Sequence, residues 1–301
     1  RCRIVIPDLI GNLKTLKIMK KNILSALAIC AALLGCQKNE ISEARPSGVE
    51  LHATIEDDSS AKTVMDENNN IRWSEGDQII AFMKSSYGHK YQVKPSFIGE
   101  TYADFSKVSS SNGDDLSAGM EWDHIVAYYP YAENVTAGSV TVTASEQTDW
   151  LVAPATDLTS SNVNLNMTHA LTKLVINPST FGSEVDNTSI AKIEVGGMYA
   201  SGDLNIADNS WSNLSSPNAT LEMKNNELLV IPMASCTSFD VVITMEDNRV
   251  FTTTVTCPDG KLEAGTQYNI KLKIGQDVVV LGGITATPWG APVDGGTLET
   301  N

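Results

Sequence analysis

The chain has 301 residues, with 36 acidic and 21 basic side chains and a formal net charge of −15 at pH 7. Its length is enough for two domains of ordinary size or for one large β domain. The acidic balance disfavours nucleic acid and anionic membrane surfaces as partners, because both are negatively charged.

The first predicted element is a secretory signal over residues 19–35. Lys20 and Lys21 follow Met19, and the apolar run ILSALAICAALLG comes shortly after them. This run is too short to span a bilayer as a stable helix, and a positive start before it is typical of a cleaved signal. Residues 1–18 precede Met19, the expected initiator, and are interpreted as upstream sequence read through, without structure.

The signal ends in Gly35 and Cys36, and the polar sequence QKNE follows. This ending resembles the bacterial lipoprotein box, in which cleavage falls between these two residues and the cysteine sulfur receives a diacylglycerol. The resemblance implies a lipid on Cys36 that holds the protein in the outer membrane, and QKNE resembles the signals that export such lipoproteins to the cell surface. The alternative, a buried helix ending in a structural cysteine, lacks an amphipathic stripe.

Cleavage before Cys36 leaves residues 36–301, which are 266 residues. Six basic residues and one acidic residue precede Cys36, so 15 basic and 35 acidic residues remain and the net charge becomes −20. Residues 36–48 are polar and predict a flexible tether between the lipid and the fold.

The rest of the chain predicts an all-β fold. Apolar residues alternate or form runs of four to six, separated by clusters of Asn, Asp, Ser, Gly and Pro, and no convincing amphipathic helix occurs. Such spacing favours β-sandwiches. The pattern restarts near TDLTSSNVNLN, which predicts a domain boundary near residue 165. The predicted strands are 49–55, 78–83, 124–130, 139–144, 163–167, 170–176, 190–196, 227–232, 239–245, 250–256, 267–274 and 278–286.

A disulfide between Cys236 and Cys257 is a possibility that the sequence leaves open. An exported protein crosses an oxidising compartment, and these are the only cysteines after Cys36. Strand alternation places Phe239 and Val241 on one face, which Cys257 continues on the partner strand. Cys236 falls on the other face, so the register that buries the apolar set separates the two sulfurs unless a bulge reunites them.

Four stretches together carry a family resemblance. They are IRWSEGDQI at 71–79, HIVAYYPY at 124–131, MTHALTKL at 167–174 and LEAGTQY at 262–268. In this order and at these separations they resemble the fimbrillin family of Bacteroidota lipoproteins, which are pilins and pilus-associated adhesins. The resemblance covers nearly the whole mature chain. It implies two tandem transthyretin-like Greek-key β-sandwiches, for which we take residues 49–165 and 166–301.

The resemblance also implies a mechanism and partners. In this family a protease cuts a lipidated precursor within or before the first strand, and the groove accepts a strand from another pilus subunit. Arg45 is the basic residue before the first strand, and Pro46 after it generally obstructs cleavage. Residues 278–286 are apolar enough to be the donor strand, or they form an ordinary last strand. The host or bacterial surface ligand is not identified.

Two further candidate sites have simpler interpretations. Trp73 and Asp77 lie in the turn WSEGDQI, where turn chemistry explains them better than a ligand clamp does. His169 opens a strand beside apolar neighbours, and a structural histidine is expected there rather than a metal ligand.

No motif in the chain argues for catalysis, a metal or another cofactor. Ser59 and Lys62 match SxxK without its downstream motifs, and the calcium-loop spacing that begins at Asp66 lacks the required glycine. We therefore predict a surface-exposed fimbrillin-type lipoprotein that is not an enzyme and acts as a pilus subunit, adhesin or anchor in cell adhesion. The alternative is a monomeric surface glycan-binding lipoprotein, which needs an exposed aromatic platform.

Overall fold

Twenty β-strands form nearly all the regular structure in the residues that the computed structural model describes, which are 50–55, 64–65, 71–83, 88–108, 124–132, 138–157, 161–180, 190–275 and 279–289. The helical turns among them are short 3-10 turns at Pro95–Phe97, Ala144–Glu146 and Pro258–Gly260. The chain divides into two units, Arg1–Pro46 and Ser47–Asn301, and every described residue lies in the second.

The strands alternate with short turns rich in Gly, Asn and Asp, as the sequence pattern predicts. In chain order they are β1 (Glu50–Ile55), β2 (Val64–Met65), β3 (Ile71–Arg72), β4 (Gln78–Met83), β5 (His89–Val93), β6 (Tyr102–Lys107), β7 (His124–Tyr129), β8 (Ser139–Thr143), β9 (Leu151–Asp157), β10 (Asn162–His169), β11 (Thr172–Thr180), β12 (Ile190–Met198), β13 (Ser201–Asn205), β14 (Ser210–Ser212), β15 (Ala219–Glu222), β16 (Glu227–Val230), β17 (Ser238–Met245), β18 (Val250–Thr256), β19 (Thr266–Ile274) and β20 (Val279–Pro288).

Seven strands from the first part of the chain close into a barrel in the order β1-β10-β9-β7-β4-β5-β6. The ring closes because β1 pairs with β10 on one side, in parallel, and with β6 on the other side, antiparallel. Alternate residues of these strands point inward and are buried, as Leu51, Ala53 and Ile55 of β1 are. This alternation is the period of two that a sheet with one buried face requires.

The remaining long strands form two four-stranded sheets with the orders β16-β11-β19-β20 and β15-β12-β17-β18. Buried residues of both sheets belong to a single hydrophobic cluster, which includes Leu174, Ile270, Val241 and Ile243. A third sheet has the order β14-β13-β8. Its strand β8 precedes β9 in the chain and yet pairs with β13, so the first part of the chain supplies a strand to the second.

The all-β prediction is confirmed, and most predicted strands match the observed ones within two residues. The pattern missed eight strands, which are short, carry polar residues or lie close to turns: β2, β3, β5, β6, β9, β13, β14 and β15. β10 runs through the predicted boundary at residue 165. The division into residues 49–165 and 166–301 stays a prediction.

Several predicted features lie outside the described residues. They are the read-through segment 1–18, the signal 19–35 with its cleavage site at Gly35 and Cys36, the tether 36–48, Arg45, and the polar loop that contains Ser59, Lys62 and Asp66. The predicted lipid, signal cleavage and processing therefore stay predictions.

Candidate functional site

The first described strand, β1, lies between two partners that are distant in the sequence. Its parallel ladder with β10 runs from Glu50↔Asn162 to Ile55↔Met167, and its antiparallel ladder with β6 includes His52↔Asp104. No tight turn joins β1 to either partner. Main-chain hydrogen bonds and side-chain packing therefore hold this strand against both partners.

The inward face of β1 has a large, a small and a large side chain in turn. Leu51 is 1% exposed, Ala53 is 0% exposed and Ile55 is 4% exposed. Because protein interiors are close-packed, a larger side chain at the fully buried middle position would have to displace its neighbours. We call the space between β10 and β6 that β1 fills the β1 groove.

The outward face of β1 makes a hydrogen-bonded cluster with β6. His52 Nδ1 lies 2.5 Å from Asp104 Oδ1 and 2.7 Å from the Tyr102 hydroxyl, which donates to Asp104 Oδ1 at 3.0 Å. Lys94 Nζ lies 3.4 Å from Asp104 Oδ2. Burial acts to raise the pKa of Asp104, but the bonds to His52 and Tyr102 and the charge of Lys94 outweigh it and lower that pKa.

The last described strand, β20, has a different environment. It pairs with β19 from Thr266↔Pro288 to Ile274↔Val279, and no described strand pairs with its other edge. Val279 is buried, whereas Val280 is 47% exposed and the rest of the strand is half-buried or exposed. β20 therefore contributes little apolar burial for its length.

A register shift interrupts the ladder between β19 and β20. Lys271 pairs with Gly283 and Leu272 pairs with Leu281, which leaves Gly282 as the extra residue of a bulge. Gly283 has φ +137°, a conformation that other residues rarely adopt. A Cβ on Gly282 would lie 3.1 Å from the Lys271 carbonyl oxygen. The glycine pair is therefore required by this local geometry.

A buried tryptophan fixes the end of β20. The ring of Trp289, which is 2% exposed, stacks on His169 with centroids 4.2 Å apart and an interplanar angle of 0°. His169 Nδ1 lies 3.0 Å from Asp149 Oδ1, and the Trp289 backbone N–H donates to the Gly265 carbonyl. His169 thus makes a ring contact with Trp289 and a hydrogen bond with Asp149, in keeping with the structural role predicted for it.

Two of the quoted sequence stretches, MTHALTKL and LEAGTQY, meet at this point. The Gly265 N–H donates to the Leu171 carbonyl, and the Thr172 hydroxyl donates to the Glu263 carbonyl at 2.6 Å. Gly265 has φ +65°, so the turn favours glycine. The two stretches are therefore partners in one structural contact, and together they form the seat of Trp289.

The turn WSEGDQI is also structural. Trp73 is fully buried, its indole N–H donates to the Thr101 carbonyl, and its ring packs edge-on against Tyr129. Asp77 accepts the Ser74 backbone N–H at 2.7 Å and the Tyr129 hydroxyl at 3.1 Å. Burial raises the pKa of Asp77 despite these two bonds. Trp73 has no exposed surface for a ligand, so the turn interpretation holds.

Cys236 and Cys257 form a disulfide with their Cα atoms 6.1 Å apart. The argument that the strand register separates the sulfurs is wrong at Cys236. β17 begins at Ser238, so Cys236 lies outside the strand and strict alternation does not extend to it. The Cys236 N–H donates to the Gly260 carbonyl and the Cys257 N–H donates to the Thr237 carbonyl, which brings both cysteines to one side.

No group of three or more His, Cys, Asp or Glu side chains in the described part of the chain could hold a metal ion. No helix among the described residues is long and apolar enough to cross a membrane. The predictions of no cofactor and no catalysis stay predictions.

Comparison with family models matches residues 63–289 to the family described as fimbrillin-like. The chain belongs to the fimbrillin-like family. The match includes all four stretches that suggested the resemblance, which is thereby confirmed, and it begins after β1. Comparison with curated proteins finds no match.

Two solved structures are similar to this fimbrillin-like chain. The first is described as a candidate cell adhesion protein from Bacteroides uniformis, with 19% identity, a TM-score of 0.64, and coverage of 81% of this chain and 98% of that one. The second, a candidate cell adhesion protein from Bacteroides ovatus, has 15% identity, a TM-score of 0.62, and coverage of 82% and 99%. At these identities the likeness shows the fold.

Sequence reasoning missed the cluster around Tyr102 and the role of Trp289. YADFSK, the sequence of β6, does alternate, since Ala103 and Phe105 are buried between outward residues. That alternation could have predicted the strand, but it is weak because only two residues of β6 are buried and one of them is a small alanine. Nothing local to Trp289 predicts its seat, because His169 and Gly265 come from distant parts of the sequence.

Proposed function

We propose that this fimbrillin-like chain is a fimbrial subunit or adhesin of the bacterial surface, joined to other pilus subunits by exchange of β20. One observation carries the proposal. The β1 groove takes a large, a small and a large side chain in turn, and β20 has the same order in Val280, Gly282 and Ile284.

The fit of β20 to a β1 groove has two physical components. Main-chain hydrogen bonds to β10 and β6 are independent of sequence, so any regular extended strand can form them. The side-chain order then gives specificity, because Gly282 is small enough for the place of Ala53. Val280 and Ile284 match Leu51 and Ile55 in kind and are close to them in size.

Release of β20 from its own sheet costs little burial. Val279 and Trp289 are the well-buried side chains of this segment, and the remaining residues are half-buried or exposed. Burial contributes roughly 25 cal/mol per Å² of apolar surface, so the strand has little burial to lose apart from that of Val279 and Trp289. Pairing with two neighbours in a β1 groove would bury more of the same side chains.

The position of Arg45 favours a subunit that keeps its own β1. Arg45 lies five residues before Glu50, so cleavage after it would remove the lipid and leave all of β1 in place. Pro46 further opposes that cleavage. A chain whose own groove stays filled can lend a strand but cannot accept one. We therefore infer a place at one end of a fimbrium, as an anchor or a tip.

The lipid on Cys36 would provide the anchor in the outer membrane. Each buried CH₂ contributes about 0.8 kcal/mol, so the two or three acyl chains of a bacterial lipoprotein hold far longer than one chain does. Replacing Cys36 with alanine should release the protein into the medium. Unchanged membrane fractionation of this variant would contradict lipid anchoring.

Strand exchange can be tested on the full chain in cells. Unheated surface extracts, probed for this chain after electrophoresis in the absence of denaturant, should give a ladder in which the chain is joined to increasing numbers of other pilus subunits. This ladder should disappear when residues 278–301 are deleted. Ile284→Asp should also abolish the ladder. Thr285→Asp, which alters the exposed residue next to it, is the control and should preserve the ladder. A single band in the unaltered protein would contradict exchange and favour the monomeric alternative.

A second test isolates the groove. A chain that begins at residue 56 lacks β1, so its β1 groove is open. A peptide of residues 47–56 should bind in this groove, and native mass spectrometry would detect the complex of chain and peptide. A peptide of residues 278–289 should compete for the same place, and its Gly282→Val form should bind at least about tenfold more weakly because of overpacking. If the peptide of residues 47–56 binds and the peptide of residues 278–289 does not, β20 is not the donor strand.

A further inference from the structure

We propose that the outward face of β6, β1 and β10 binds a neutral oligosaccharide. We call it the Tyr102 face. The proposal rests on the proposed role at the bacterial surface, and it names the class of ligand that such an adhesin would take. The face requires β1 in place, since β1 forms its centre, and this agrees with a subunit that keeps its own first strand.

The strand registers arrange the Tyr102 face in two rows. The first row crosses β10, β1 and β6 and consists of Asn164, His52 and Asp104. His52 pairs with Asn164 in one ladder and with Asp104 in the other. The next row is Asn166, Thr54 and Tyr102. Side chains that are paired across a sheet point to the same side, so an amide, an imidazole, a carboxylate and a phenol ring form one polar surface.

Tyr102 is held rigidly and is still open to solvent. Its hydroxyl is tied to His52 and Asp104, its ring lies nearly parallel to the His52 ring at 5.8 Å, and Phe97 packs edge-on against it at 5.7 Å. The residue nevertheless remains 38% exposed. A preorganised aromatic ring loses little conformational entropy on binding, and its apolar face suits the C–H face of a pyranose ring.

Exposed apolar side chains cluster beside the Tyr102 face. Five large hydrophobic residues are exposed in the described part of the chain, and two of them, Ile98 at 41% and Tyr102, belong to this one region beside Phe97. A merely solvated polar face would not concentrate aromatic rings. Clustered exposed apolar groups beside polar ones mark a binding surface.

Asn164 and Asn166 provide the hydrogen-bonding groups for a ligand. Both are exposed, and neither side chain has a hydrogen-bond partner among the described residues. Each amide offers two donors and one acceptor oxygen, which matches sugar hydroxyls that both donate and accept. Asparagine also has few rotatable bonds, so ordering it costs less entropy than ordering lysine or glutamate.

Charge selects neutral sugars over acidic ones. The chain after Cys36 has 15 basic and 35 acidic residues, a net charge of −20, which repels sialylated or sulfated glycans. On the face itself the carboxylate of Asp104 already faces Lys94 and His52. No cationic side chain on these rows is therefore left to compensate an acidic sugar.

The test uses the full mature chain on an array of immobilised neutral oligosaccharides, with sialylated forms of the same glycans beside them. We expect binding to one or more neutral glycans and weaker binding to their sialylated forms. Tyr102→Ala should weaken binding at least about tenfold through loss of the ring, and Asn164→Ala roughly threefold or more through loss of hydrogen bonds.

Two control variants separate binding from folding. Tyr102→Phe keeps the ring and should bind within about threefold of the unaltered protein. Val250→Ala removes an exposed apolar side chain on β18, outside this face, and should change nothing. Absence of binding to every neutral glycan, preference for sialylated forms, equal binding by Tyr102→Ala, or capture of a protein in place of glycans would each overturn the proposal.

The result is independent of strand exchange. Deletion of residues 278–301 should abolish the ladder and leave glycan binding intact, since β20 is not part of the Tyr102 face. If the ladder persists without residues 278–301 while glycans still bind, the proposed exchange fails and the glycan site stands. If the ladder behaves as expected but no glycan binds, the glycan site fails and the assembly role stands.

Discussion

β1 and β20 are the first and the last strands of the described chain, and their surroundings are opposite. β1 pairs on both sides and buries every second residue, whereas β20 pairs with β19 alone among the described strands and exposes most of its length. The buried Trp289 follows directly on the end of β20. Burial and pairing, and not apolar composition, therefore distinguish the strand that fills a groove from the strand that can leave one.

The strongest test of this comparison places the same charge on each strand. Ala53 is fully buried on β1, so Ala53→Asp should lower the free energy of unfolding by at least about 3 kcal/mol, because the carboxylate is buried without a partner. Thr285→Asp on exposed β20 should change it by less than about 0.5 kcal/mol. Denaturant unfolding of both variants measures this, and equal effects would remove the distinction between the strands.

The next test removes the anchor of β20. Trp289→Ala should destabilise the protein by about 3 kcal/mol, because a large buried side chain and its ring contact with His169 are lost. Hydrogen exchange should show faster exchange at β20 amides than at β1 amides. Val280→Ala, which alters an exposed side chain, is the control. Unchanged protection of β20 in Trp289→Ala would show that the tryptophan does not hold the strand.

A smaller effect is expected at the bulge of β20. Gly283 has φ +137°, so Gly283→Ala should cost about 1 to 2 kcal/mol in backbone strain. Thr285→Ala nearby needs no such conformation and should be nearly neutral. If the two variants have equal melting temperatures, the bulge straightens at no cost, and β20 is more adaptable than its glycine pair suggests.

The smallest effect concerns the outward face of β1. The folded pKa of Asp104 is lowered, so its contribution is present above the unfolded value of 3.8 and is lost as the pH falls through the folded pKa. Asp104→Asn should therefore cost less than about 1 kcal/mol at pH 7, since the site is partly solvated. The cost should shrink as the pH approaches 3. A deficit that does not vary with pH would argue against this linkage.

Local sequence pattern predicted the strands that are rich in branched and aromatic residues. QIIAFM and VFTTTVT gave the bounds of β4 and β18 correctly, because branched and aromatic residues fill them. HKYQV of β5 and YADFSK of β6 were missed, since each buries only two or three residues between polar ones. Their pairing with neighbouring strands determines their conformation, and a single-sequence pattern does not contain that information.

The candidate site was predictable only in part, because it too depends on contacts between distant segments. The apolar character of residues 278–286 was visible, but the seat of Trp289 depends on His169 and Gly265, which are far apart in the sequence. The Cys236–Cys257 disulfide was judged by strand alternation, which fails where the chain leaves the strand before Ser238. Contacts between distant segments are the part that local rules do not supply.

The pairing of β8 with β13 has a mechanical consequence. Five consecutive pairs, from Ser201↔Thr143 to Asn205↔Ser139, join the chain segment before β9 to the segment after β12. Domains connected by a bare linker swivel freely, whereas a shared ladder resists both bending and tension. An anchor or tip subunit of this kind would transmit a pull through a stiff link between its two parts.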